Sequence, residues 1–189
     1  RVLASQVREE PEALGLLALL LHLEARRAAR RVSDRFVPMG EQDVTLWDSA
    51  MQAEAEMLLM RAAHSNRIGR FQLEAAIQSA HHARKLRKVD WDAIVTLYDG
   101  LFALTSSPVA ELNRVAAIAQ RDGASLGLEA LEAIGAKALQ SYQPYWALRA
   151  DLLAKLGRAD ESRAAYDEAI ARERDASIIR FLSERRAAL

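Results

Sequence analysis

Residues 143–176 read QPYWALRADLLAKLGRADESRAAYDEAIARERDA and contain two helix-forming segments separated by Gly157. Alanine, leucine and charged residues of high helix propensity dominate both segments. Glycine is suited to the break because it adopts the backbone conformations that helix ends require. The stretch therefore predicts an antiparallel pair of helices, at about 144–156 and 160–173.

The pattern recurs towards the N-terminus at a constant spacing. The interval between Gly123 and Gly157 occurs again, doubled, between Tyr98 and Tyr166. A helix–turn–helix period of about 34 residues is typical of tetratricopeptide repeats (TPRs), in which each helix pair buries its face by stacking on the next. The spacing therefore predicts TPR-like helix pairs that stack along the chain.

The composition favours the same fold class. The 189 residues include 37 Ala and 27 Leu but only 8 Gly and 4 Pro, which is typical of an all-α protein. We predict stacked antiparallel helix pairs in a TPR-like right-handed helical array. The predicted single domain spans 11–189, with the TPR-like pairs at 75–176 and a C-terminal capping helix at 177–189. Residues 1–10 are predicted to be the tail of a truncated preceding helix.

One further helix is predicted to start at Thr45, which would form a capping-box-like pair with Asp48, and to run to about His64. Five apolar residues fall on one stripe of it, and we expect the methionines to fill gaps in the core. These residues are Leu46, Ala50, Ala53, Met57 and Met60.

Charge and cysteine content narrow the function classes. Lys+Arg and Asp+Glu are both 26, and this neutral balance argues against a dedicated nucleic-acid binder. The absence of cysteine excludes disulfides and thiolate metal sites, and it fits a reducing cytoplasm. The longest apolar run, Ala13–Leu21, is too short for a bilayer span of about 20 residues.

No catalytic or metal-binding motif stands out. The four histidines, at 22, 64, 81 and 82, show no His-x-x-x-His spacing, and adjacent helical residues point about 100° apart. The glycines form no phosphate-binding loop. We therefore expect a protein that is not an enzyme and that has no metal or cofactor.

Longer motifs occur along the chain in a fixed order. They are PEALGLLALLLHLEARRAAR (11–30), EQDVTLWD (41–48), GRFQLEAAIQSAH (69–81), DW…I..LYD.L (90–101), SPV..LNR (107–114) and YQPYWALRADLL…GR (142–158). Together they resemble the C-terminal extension of a subgroup of bacterial extracytoplasmic-function RNA polymerase sigma factors. In that family a TPR-like helical domain follows the two sigma regions.

The resemblance implies a regulatory, protein-interaction domain. Such a domain would tune transcription initiation by contacting the sigma regions or core RNA polymerase. Promoter DNA would be contacted only through the sigma regions, which this sequence lacks. The alternative is a free-standing TPR-like adapter that binds a peptide or helix of another protein.

Candidate contact residues lie mainly in the block GRFQLEAAIQSAH. Spacings of four, four and three place Arg70, Glu74, Gln78 and His81 on one helix face, which we call the polar strip. This strip is either an ordinary solvated face or a contact surface for the sigma regions or a neighbouring helix. Asn113 is a further candidate contact residue, because it falls on the surface that would line a TPR groove.

Two further sets of residues, a basic tract and a group of structural residues, have predicted roles outside the polar strip. The basic tract 84–88 is interpreted either as a helix end or as a surface for an acidic partner. The residues predicted to be structural are Trp47, Trp91, Trp146, Gly157 and Tyr166.

Overall fold

A computed structural model describes residues 10–83, 89–134 and 138–189. The chain divides into two compact units: unit 1 comprises 1–32 and 37–106, and unit 2 comprises 33–36 and 107–189. The predicted helix tail at 1–10, apart from Glu10, and the basic tract 84–88 lie outside the described residues.

The all-α prediction is confirmed, because the described residues form ten α-helices packed in adjacent antiparallel pairs. In chain order the helices are α1 Pro11–Ala25, α2 Arg27–Arg30, α3 Ser49–Ala63, α4 Arg70–His82, α5 Trp91–Thr105, α6 Pro108–Asp122, α7 Ala124–Ile134, α8 Gln143–Lys155, α9 Ala159–Ala171 and α10 Ala176–Ala187. Over these residues, no helix is long and apolar enough to cross a bilayer.

Side-chain caps and glycines define several of the helix ends. Asp90 begins α5 by accepting a hydrogen bond from the Ala93 N–H at 2.9 Å. Gly123 and Gly157 follow α6 and α8 with φ values of 99° and 72°, a backbone region that favours glycine. The break that the sequence predicted at Gly157 is therefore confirmed.

The predicted start of α3 is wrong by one turn. The helix begins at Ser49, because the Asp48 carboxylate accepts hydrogen bonds from the N–H groups of Ala50 and Met51, both at 2.9 Å. Thr45 instead lies in a preceding 3-10 turn, where its N–H donates to Asp43 at 2.9 Å.

The connection between α2 and α3 contains a short β-hairpin, β1 Arg31–Val32 and β2 Arg35–Phe36. Its turn residues Ser33 and Asp34 have positive φ values of 50° and 59°. Within unit 2, β2 packs on α10. The rings of Phe36 and Phe181 meet edge to face with centroids 5.5 Å apart.

Unit 1 is built around α1, which packs against α3 and α4, while α5 packs against α4. Its apolar core is small-residue-rich, which lets the helices approach closely. The core residues are Leu14, Ala18, Leu19, Leu21, Ala55, Leu58, Ala62 and Ala75.

The stripe predicted to be the core face of α3 is instead its exposed face. Leu46 precedes the helix, and the side chains of Met57 and Met60 are 57% and 58% exposed. The buried face carries Gln52, Ala55, Leu58 and Ala62. Apolar residues occupy both faces of this helix, and packing against α1 decides which face is buried.

Unit 2 stacks two helix pairs, α6 with α7 and α8 with α9, and α10 packs on α9. Helix α8 also contacts both helices of the preceding pair. Within the second pair, the buried Ser162 hydroxyl donates to the Ala150 carbonyl at 2.8 Å, which satisfies a polar group inside the core. The core residues include Leu112, Val115, Leu128, Leu131, Tyr145, Leu152, Leu153 and Tyr166.

Candidate functional site on helix α4

The exposed end of the polar strip is an ion pair on the first turns of α4. Arg70 Nε donates to Glu74 Oε1 at 2.7 Å, with side-chain exposures of 58% and 24%. This bond raises the pKa of Arg70. Burial, together with the nearby charge of Glu74, raises the pKa of Tyr98 on α5 to about 12. The pair therefore offers a cation and a carboxylate on one accessible surface.

The middle of the strip is held by Arg26, the residue that follows α1. Arg26 Nη2 donates to Gln78 Oε1 at 2.7 Å, and the Arg26 guanidinium lies 5.7 Å from the ring centroid of Trp47. Arg26 and Trp47 are both buried. Because a buried guanidinium requires hydrogen-bonding partners, Gln78 has a structural task inside unit 1.

The last member of the strip, His81, packs against α5. Its ring is half-buried and lies edge-on to Trp91, with centroids 5.6 Å apart. Asn113 is exposed on α6, in the other unit. The structure thus brings Arg70 and Glu74 together at the surface and engages Gln78 and His81 in packing.

The residues predicted to be structural occupy different environments. Trp47 and Tyr166 are buried, whereas Trp91 and Trp146 are half-buried. The Trp146 indole N–H donates to the Gln140 carbonyl at 2.9 Å, and its ring lies 5.1 Å from the Arg172 guanidinium carbon. This tryptophan therefore anchors the start of α8 at the edge of the unit 2 core.

Sequence reasoning missed the residue that caps α4. Glu12 of α1 accepts hydrogen bonds from the N–H groups of Phe71 and Gln72, at 3.0 and 3.2 Å. A Cβ atom on the N-cap residue Gly69 would lie 2.2 Å from Glu12 Cδ, so glycine leaves the space for this carboxylate. The sequence did contain a signal for this cap, since Gly69 precedes the helix and has no side chain to cap it. The residue that provides the cap, Glu12, lies on another helix and is far away in the sequence.

A polar cluster around the buried His22 lies between α1, α3 and α4. His22 is 2% exposed, and its Nε2 lies 3.6 Å from Glu56 Oε1, which also accepts a hydrogen bond from the Ser79 hydroxyl at 2.6 Å. Desolvation lowers the pKa of His22, and the nearby His82 and Arg26 act in the same direction. The attraction of Glu56 opposes these effects but is smaller than the desolvation.

This burial predicts that unit 1 loses stability as the pH falls. The unfolded chain protonates His22 below about pH 6.5, whereas the folded chain keeps it neutral to lower pH. Stability is then fully present above that pH and falls by up to about 1.4 kcal/mol per pH unit below it. Urea unfolding between pH 7.5 and 5.5 should show a smaller decline for His22→Asn than for the original chain.

The matched control for this prediction is His64→Asn, because His64 is exposed at the end of α3. It should keep the pH dependence of the original chain. An equal decline in the original chain and His22→Asn would show that His22 does not control the acid sensitivity of unit 1.

Among the described residues, no three His, Cys, Asp or Glu side chains are grouped as metal ligands would be. What the α4 surface offers is charge and hydrogen bonding at Arg70 and Glu74, supported from behind by Arg26 and Glu12.

Comparison with known protein families gives a match to the first part of the chain. Residues 1–63 match the model of a family described as "Family of unknown function (DUF6596)". The matched residues include α1, the hairpin and α3, and therefore His22 and Glu56 of the polar cluster.

A second comparison covers nearly the whole chain. An uncharacterized protein of Rhizobium meliloti (strain 1021) is 39% identical over 179 residues, which is 94% of this chain and 42% of that protein. The chain therefore spans less than half of the length of this relative. No solved structure matches the chain significantly.

Proposed function

We propose that residues 1–189 act as the regulatory segment of a bacterial extracytoplasmic-function sigma factor. In this proposal the segment tunes transcription initiation in the cytoplasm by contacting the sigma regions or core RNA polymerase. The ordered motifs that resemble such C-terminal extensions support it. The length of the relative also agrees with it, because a chain more than twice as long has room for sigma regions beside this segment.

The observation that carries the proposal is the surface pair Arg70–Glu74. It lies within the motif GRFQLEAAIQSAH, and it is the part of the polar strip that is available to a partner. An exposed pair of this kind adds little to stability, so its value lies in the contacts it can make. Charged groups at such contacts select partners and fix their orientation.

Reversing the charge of Glu74 tests this proposal. Glu74→Lys in the full-length protein places two cations beside each other without opening a cavity. We expect reporter transcription to fall by about tenfold, the effect of losing about 1.4 kcal/mol of contact energy. Protein level and urea unfolding should stay near those of the original protein, within about 0.5 kcal/mol for a surface change.

Glu161→Lys is the control, because Glu161 in the first turn of α9 also forms a surface pair, with Arg158 just before the helix, and it lies outside the polar strip. Its transcription should be unaffected. Equal transcription from the original protein and Glu74→Lys, at equal protein level, would show that α4 is not the contact surface. A gene whose sequence before residue 1 encodes no sigma regions would instead favour the adapter alternative.

A further inference from the structure

Helices α3 and α4 of unit 1 both pack on α1, and an apolar groove of about 340 Å³ opens between them. We call this the α3/α4 groove. Its lining residues are Leu59, Ala63, Asn66, Arg67, Ile68, Gln72, Leu73 and Ala76. The groove lies apart from the polar pair Arg70–Glu74, which is not among its lining residues.

One large apolar side chain that lines this groove is exposed to water. Ile68 is 75% exposed, and the lining residues Leu59, Ala63, Leu73 and Ala76 are also apolar. Burying a side chain of the size of Ile68 fully is worth about 1.5–3 kcal/mol. An apolar occupant that covers Ile68 would therefore gain affinity from the groove.

The length of the groove limits what it can hold. The Ser79–Glu56 hydrogen bond ties α4 to α3 at one end, and the loop with Ile68 closes the other. From Glu56 to Ala63 is seven residues, or about 10 Å of helix. Two turns of helix present apolar side chains at i and i+3 or i+4, so the groove fits two apolar anchors from one amphipathic helix.

The charge at the groove favours an occupant that carries an acidic residue next to these apolar anchors. Arg67 is the charged lining residue, and the other seven lining residues are neutral. Its guanidinium lies 3.3 Å from Glu10, in a pair with side-chain exposures of 71% and 43%. Because such an exposed pair is weak, Arg67 can exchange Glu10 for a carboxylate on the occupant at little cost.

We propose that the α3/α4 groove binds an amphipathic helix, with two apolar anchors beside an Asp or Glu, from the sigma regions of the same full-length chain. This inference rests on the proposed function, which supplies those regions. The similar segment is only 42% of the relative, so most of a chain of that kind lies outside it. A helix on the same chain is present at millimolar effective concentration, which suits a short groove with few contacts.

Site-specific photo-crosslinking in the full-length protein tests the groove. A photoreactive residue is placed at Ala63, an exposed residue that lines the groove, and separately at Leu126 of α7, an exposed apolar position in unit 2. We expect the Ala63 probe to label one helical peptide of the sigma regions that carries the apolar pair and the acidic residue. Adding Ile68→Glu should lower that yield by about tenfold, because it places a charge at the anchor site.

The labelled peptide separates the possible outcomes. Labelling of a polymerase subunit, of a second copy or of residues 107–189 would overturn the groove assignment, and so would a yield no higher than that of the Leu126 probe. If the groove is unlabelled but Glu74→Lys still lowers transcription, the groove assignment fails and the proposed function stands. If the labelled peptide comes from a region of the chain that is no sigma region, the proposed function fails.

Discussion

Replacing Tyr166 with alanine is expected to lower the free energy of unfolding of unit 2 by about 3–5 kcal/mol. Tyr166 is 4% exposed in α9 and belongs to the core that α8, α9 and α10 share. Its removal leaves a cavity that the surrounding alanine and leucine side chains fill only partly, which adds to the lost apolar burial. Urea unfolding, with amide hydrogen exchange read separately over α8 and α9, measures this loss.

Tyr142→Ala is the matched control, since Tyr142 is 37% exposed just before α8. It should cost less than about 1 kcal/mol, as surface substitutions usually do. Equal costs for the two variants would mean that position 166 is not a packing centre. This would remove the physical reason for an aromatic residue at this position of the repeat.

The presence of the helices, and those helix ends that local chemistry controls, were predictable here. Gly123 and Gly157 adopt positive φ, and Asp90 caps α5, so each boundary depends on residues close in sequence. The stacked pairs of unit 2 also follow from local signals, since short loops force consecutive helices to pack against each other.

The buried face of α3 was not predictable from its own sequence. Its Met57–Met60 face and its Ala55–Leu58 face are both apolar, and only the approach of α1 selects the second. The small alanines are buried because they let two helices come close, whereas the methionines remain exposed to solvent.

The candidate site was predictable only in part, for a similar reason. Periodicity placed Arg70 and Glu74 on one face and at pairing distance, and the structure has this bond. The engagement of Gln78 depends on Arg26, which is distant in sequence and buried beside Trp47. A charged residue near a helix end is expected at the surface, so sequence alone gave no reason to bury it.

Alanine at two helical glycines of unit 1 should change stability in opposite directions. Glycine in a helix interior costs about 0.5–1 kcal/mol relative to alanine, so Gly→Ala normally stabilises. At Gly100 of α5, a Cβ atom would lie 3.7 Å from the Leu73 side chain, which is ordinary contact. Gly100→Ala should therefore raise the free energy of unfolding by up to about 1 kcal/mol.

At Gly15 of α1 the same change should destabilise, because a Cβ atom would lie 2.7 Å from the backbone nitrogen of Gln72. Backbone cannot rotate away as a side-chain end can, so α1 and α4 must separate, and overpacking of this kind costs about 1–3 kcal/mol. This exceeds the gain in helix propensity, and the separation also pulls Glu12 from the α4 N–H groups that it caps. Urea unfolding of both variants measures the difference. Stabilisation by Gly15→Ala equal to that by Gly100→Ala would show that α1 and α4 are not in close contact at Gly15.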